Sequence, residues 1–157
     1  MYFKYFFYVV KHKWYVFKVC LKEKMYIHAF THDLSKFLPS EFIPYAKYFF
    51  GNNKTETDEK LFKIAVMRHY NRNPHHLEYW VSKDVPFTLP KRYIQQLVAD
   101  WVAMGWAKKP GSYKDAVQDA LEFYQNNKDN FNATIWTLVQ IKHSLEKHIL
   151  ENFKGEN

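Results

Sequence analysis

Cysteine is nearly absent from this chain: Cys20 is the only one in 157 residues. A single thiol excludes an internal disulfide framework and suits a reducing cytosol, so a cytoplasmic location is expected. Cys20 sits in an apolar stripe and reads as core. Glycine and proline are also scarce, at four and six residues, which excludes a low-complexity or linker-rich chain. Long hydrophobic runs are missing. The opening MYFKYFFYVVKHKWYVF is aromatic, but Lys4, Lys11 and Lys13 interrupt it. It is too short and too broken for a membrane span, and it lacks the small-residue cleavage site of a signal peptide. No membrane partner is expected. No sustained alternation of apolar and polar residues occurs, and no strong hairpin signal, which argues against a sheet.

Aromatic residues make up 20% of the chain, and 47% is hydrophobic, enough to exclude disorder. The length fits one domain over 1–157 with a real core. The formal charge is +7, which draws anions such as phosphates and nucleotides. The few prolines and glycines gather at breaks: FLPSEFIPY, FFGNNKTETDEK, NRNPHH, KDVPFTLPKR and KKPGSYKD. The second should lead into a helix at about Thr57, Pro74 suits a helix start, and Ser112 suits an N-cap. Between breaks the apolar spacing is helical. Phe6, Val9, Val10, Trp14, Phe17 and Leu21 fall three or four apart, as do Leu61, Ile64, Ala65 and Arg68. Tyr93, Leu97, Asp100 and Met104 repeat the pattern, and so do Ile135, Leu138, Val139, Leu145 and Ile149. The spacing predicts an all-α bundle of six or seven helices. Trp80, Trp101, Trp106 and Trp136 read as core.

Several histidines and carboxylates stand where an apolar residue would serve a helix better. His12 lies in VVKHKWYVF, His28 and His32-Asp33 in YIHAFTHDLSKF, and His69 ends IAVMRHY. His75 and His76 adjoin in NPHHLEYW, and Asp100 interrupts LVADWVAM. A lone charge there is costly unless paired or bound to a cation. One shared centre explains all of them, because imidazole and carboxylate together suit Mn, Fe, Co, Ni or Zn. On a helix, adjacent side chains point about 100° apart. One of His32 and Asp33 could then be a terminal ligand while the other bridges two ions, and His75 and His76 could divide roles the same way, a geometry for two metals. His12 is the expected first ligand; His28, one turn before His32 and on its face, is the alternative, and otherwise reads as core or as an outer support to the ligands. His143 and His148 lie among Lys142, Glu146 and Lys147 and read as a solvated face.

The order His12, His32-Asp33, His69, His75-His76, Asp100 resembles the HD-domain superfamily of metal-dependent phosphohydrolases. The extra histidines between the pair and the last aspartate are similar to its multinuclear, HD-GYP-like members. HDLSK resembles their HD-x-G-K, with Ser35 in place of glycine and Lys36 matching the lysine. HDLSKF, NPHHLEYW and ADW also resemble an uncharacterised family of small bacterial and phage proteins. The resemblance spans roughly Val9 to Trp106, leaving helices over 112–153 to pack on that core. No GYP follows the histidine pair, so no cyclic-di-GMP activity is carried over.

The resemblance implies hydrolysis of a phosphoester, most naturally of a nucleotide, by water activated on two divalent transition ions. It makes His12, His32, Asp33, His69, His75, His76 and Asp100 the ligands. Asp33 and Lys36 become the catalytic pair, with Lys36 touching the phosphate or protonating the leaving oxygen. Arg68 and Arg72 flank His69 and are placed to clamp a phosphate. Glu41 and Glu78 are candidates to orient ligating histidines, and Tyr70 or Trp101 to stack a base. Two other readings keep the fold: a di-iron oxygenase on the same scaffold, and a non-catalytic module that binds a nucleotide or a protein. The small size and the lack of a groove-reading motif argue against a nucleic-acid partner. The apolar stripe of IWTLVQIKHSLEKHIL would serve to close the core, cover the site or form a homodimer face.

Overall fold

The computed structural model describes residues 1–81, 85–109 and 111–153. Among these the chain forms seven α-helices and no sheet: α1 (Tyr2–Lys22), α2 (Tyr26–Thr31), α3 (Pro39–Phe50), α4 (Glu56–Arg72), α5 (Lys91–Lys108), α6 (Tyr113–Asn127) and α7 (Ile135–Phe153). The expected all-α bundle is therefore what forms. No described helix is long and apolar enough to cross a membrane.

Local chemistry sets several boundaries. Thr55 caps α4 in a reciprocal box: its hydroxyl accepts from the Asp58 backbone N–H at 3.1 Å, and the Asp58 carboxylate accepts from the Thr55 N–H at 3.2 Å. Ser112 caps α6 by accepting from the Asp115 N–H at 3.0 Å. FLPSEFIPY is not a break but the start of α3, because Pro39 takes the first helical position, where its missing N–H removes no bond. Pro74 starts no α-helix. It enters a turn that ends in a single 3₁₀ turn, Leu77–Tyr79. From Val85 to Pro90 the chain has no helix, and Phe87 bridges Ala133. Lys83, Asp84 and Pro110, which belong to two of the expected breaks, lie outside the described residues.

α5 is the central helix and packs against α1, α6 and α7. Two apolar clusters result. The larger joins Val16, Val19 and Cys20 of α1 to Leu97, Val98 and Val102 of α5 and to Ile141 and Leu145 of α7. The smaller joins Tyr5 and Val9 of α1 to Tyr45, Ala46 and Ala65 of α3 and α4. His12 lies between Val9 and Val16 on the buried stripe of α1, at the seam of the two.

The buried faces differ from those the spacing suggests. On α1 the interior stripe is Tyr5, Val9, His12, Val16, Val19 and Cys20, while Phe6, Val10, Trp14 and Leu21 are exposed. Leu61, Ile64, Ile135, Val139 and Trp136 also face outward. These helices carry apolar residues on more than one side, so period alone leaves their rotation open and the packing partners choose it.

Candidate metal centre

The HDLSKF corner is not helical at its centre. α2 ends at Thr31, His32 turns extended (ψ 127°), and Asp33 adopts a left-handed conformation (φ 54°) before the 3₁₀ turn Leu34–Phe37. Aspartate tolerates that region better than most residues. The bend replaces the divergence of about 100° expected on a helix with convergence: His32 Nε2 and Asp33 Oδ2 lie 3.3 Å apart. Lys13 of α1 fastens the corner by donating to the carbonyls of Phe30 (3.0 Å) and His32 (2.7 Å) at the C-terminus of α2. His75 and His76 likewise sit in a turn, with ring centroids 4.4 Å apart. Trp80 steadies that turn by donating to the Pro74 carbonyl at 2.7 Å.

Seven expected ligands come together. His12 Nε2 is 3.0 Å from Asp100 Oδ1 and 3.3 Å from His32 Nε2. His32 Nε2 is 3.4 Å from Asp100 Oδ1. With Asp33 Oδ2 these atoms form one donor set. The other carboxylate oxygen of Asp33 faces a second set: Oδ1 is 3.5 Å from both His69 Nε2 and His75 Nε2. His69 Nε2 and His76 Nε2 are 2.9 Å apart. Two ligand atoms about 2.1 Å from one ion and roughly 90–110° apart sit about 3.0–3.4 Å from each other. The measured spacings fall on or beside that edge length.

The set is dry. His12, His32, Asp33, His69 and His75 are at most 2% exposed, and Asp100 is 6% exposed. Asp33 Oδ1, Asp100 Oδ1 and His75 Nε2 have polar neighbours at 3.5 Å or less, yet none makes a hydrogen bond of acceptable geometry. Buried carboxylates and imidazoles in that state are destabilising unless a cation satisfies them. The residues therefore fit a pair of divalent ions, with Asp33 spanning both sets. His28 belongs here as well as His12. Its ring packs 5.1 Å from His32 and 5.3 Å from His75, centroid to centroid, and His28, His32 and His75 form a third group of adjacent donors.

The electrostatics follow from burial opposed by pairing. Burial raises the carboxyls of Asp33 and Asp100, but His32 and Lys36 beside Asp33, and His12 and His32 beside Asp100, outweigh it and hold both well below the usual range. Burial also pulls His32 down, yet the Asp33 and Asp100 carboxylates lift it to about 9. For His28 and His76, burial and the neighbouring histidines outweigh the pull of the same two carboxylates and lower each to about 3. His12 is lowered too, burial winning over Asp100.

Outer contacts lock the clustered side chains. Glu41, fully buried, accepts from His69 Nδ1 at 3.0 Å, from Arg72 Nη1 at 2.6 Å and from Ser35 Oγ at 2.9 Å. With Nδ1–H donated to Glu41, Nε2 of His69 keeps its lone pair toward Asp33. Asn73 Nδ2 donates to the His69 carbonyl at 2.7 Å and to Ser35 Oγ at 3.1 Å. Ser35 thus has a use that a glycine could not supply. Lys36 lies 2.5 Å from Asp33 Oδ2, because the 3₁₀ turn eclipses residues three apart. Sequence reasoning passed over Lys13 and Asn73, whose roles are visible only across elements.

Other expected residues stand apart. Arg72 is committed to Glu41, and Arg68 is exposed. Glu78 is exposed and interacts with Tyr70 rather than with a histidine. Tyr70 packs 5.1 Å from His76, while Trp101 packs on Phe123 and Phe131. Trp101 also lines an apolar cavity of about 310 Å³ between α5 and α6 that none of the expected ligands lines. His143 is exposed as expected. His148 is not: it is 3% exposed and its Nδ1 lies 2.6 Å from the Tyr113 hydroxyl.

Comparison with known proteins places the chain in a family. Residues 1–155 match the model of a family of unknown function, DUF5662, and the chain belongs to it. No curated protein and no solved structure matches.

Proposed function

We propose that this member of the DUF5662 family is a metal-dependent phosphohydrolase of the HD type, acting on a phosphoester of the nucleotide class. The observation that carries the reading is Asp33. Its two buried oxygens each face a separate histidine-rich donor set at ligand-edge spacing. Two divalent ions held there would neutralise phosphoryl charge and supply a nucleophilic water at neutral pH. The chain's own part is to hold both donor sets on one carboxylate, so that a single phosphate meets both. Glu41 fixes the His69 ring through Nδ1. Burial excludes bulk water and strengthens every charge interaction in the site. Lys36, whose ammonium is raised because Asp33 outweighs its burial, stays protonated and is the donor for a phosphoryl or leaving oxygen. The net charge of +7 favours an anionic substrate.

The test is elemental analysis of protein purified without chelator, beside Asp33→Ala and Asp100→Ala, followed by phosphate release from a nucleotide panel. Two equivalents of transition metal, lost from both folded variants, together with release that needs the metal, are expected. A protein that takes up no metal even on reconstitution would sink the proposal.

A further inference from the structure

An open cleft of about 290 Å³, of mixed polar and apolar lining, lies between the start of α2 and the first turns of α5. Beside the apolar Met25 and Ile27, its lining includes Lys24, His28, Arg92, Gln95 and Gln96, and no carboxylate among the described residues. His28 is the wall it shares with the metal-ligand cluster. That residue is 9% exposed, its Nε2 has no hydrogen-bond partner among the described residues, and its ring touches those of His32 and His75. α5 links the two places as well. Arg92, Gln96 and Asp100 recur every four residues, so they share one face of the helix. Asp100 is at the ligand end, and Arg92 starts about 12 Å farther along the axis.

The lining chemistry is selective. Lys24 and Arg92 are exposed cations, and no described carboxylate lies within ion-pair distance of either. Arg92 is pre-oriented: it donates to the Tyr93 hydroxyl at 2.7 Å and lies 4.4 Å over that ring, which leaves further N–H groups for a ligand. Gln95 and Gln96 add amide donors and acceptors. Two cations and two amides without an acid recognise an anion attached to a hydrogen-bonding body.

We infer that this cleft binds the end of the substrate remote from the scissile phosphate, and that this end carries a second anionic group. The inference rests on reading the neighbouring cluster as a phosphohydrolase centre. The substrate class is then a phosphoester with two anionic groups separated by a sugar-sized spacer, rather than a simple monophosphate.

The experiment is calorimetric titration of metal-loaded protein with inorganic phosphate, adenosine 5′-monophosphate and adenosine 3′,5′-bisphosphate, in the unsubstituted chain and in Lys24→Ala and Arg92→Ala. Both side chains are exposed, so the variants should fold. The bisphosphate is expected to bind about tenfold tighter than the monophosphate, one charge-assisted contact's worth. Each substitution should erase most of that advantage while leaving metal content and phosphate affinity unchanged. Equal binding of the two nucleotides, or an advantage that survives both substitutions, would overturn the inference. Phosphate release without the preference removes the cleft and keeps the hydrolase. The preference without release from any ester keeps the cleft and removes the hydrolase.

Discussion

Asp33 concentrates the site's chemistry in one residue. It is fully buried, held at φ 54°, and faces histidines from both oxygens. Its placement depends on the residues around it, and Glu41 is the most exposed to test. That carboxylate is buried under His69, Arg72 and Ser35, and these contacts lower its pKa against the effect of burial. Glu41→Gln keeps the size and removes the charge that would make His69 a stronger ligand under the proposed function. Such outer partners are worth about 10–100-fold in metal affinity, and a loss in that range is expected from competition with a chelator. Unchanged affinity would mean that Glu41 serves only to anchor Arg72.

At the scale of elements, the site depends on where helices stop. The α2 corner, the end of α4 and the turn before Leu77 each deliver members of the cluster from a terminus, whereas α1 and α5 deliver His12 and Asp100 from their interiors. Stability and chemistry are therefore separable along one helix. Thr55 caps α4 at the end opposite His69. Thr55→Ala should destabilise the fold by about 1 kcal/mol in denaturant unfolding and leave metal stoichiometry intact. Loss of metal on this substitution would show that the whole of α4, rather than its last turn, positions His69.

For the whole molecule, the buried histidines make folding depend on pH. The His32 pKa stands at about 9 in the folded chain against 6.5 in the unfolded one. Its contribution is complete below 6.5 and lost as pH rises toward 9. His28 and His76, both lowered to about 3, and His12, also lowered, act in the opposite sense: unfolding takes up their protons, so stability falls as pH drops below 6.5. Metal-free protein should thus melt highest near pH 6.5 and lower on either side, followed by thermal denaturation across pH. Loading with divalent metal should remove the alkaline fall, since a ligating His32 has no proton to keep. A melting temperature that climbs steadily from pH 6.5 to 9 without metal would contradict the pairing of His32 with Asp33 and Asp100.

The amino-acid sequence by itself determined the helical class, the place of most breaks, the cap at Ser112, and which residues have the chemistry of ligands. Those properties are local: spacing, hydrogen-bonding capacity and the cost of an uncompensated charge in an apolar stripe. Only the tertiary structure decided which face of α1 turns inward, because a helix apolar on several sides is rotated by its partners rather than by its period. It decided that His32 and Asp33 converge through a bend instead of diverging on a helix, and that His28 joins the cluster alongside His12. It assigned Arg72 to Glu41 and buried His148 beside Tyr113. Each of these depends on distances of a few ångströms between segments far apart in the chain, set by how α1, α4 and α5 pack around the seam of two cores.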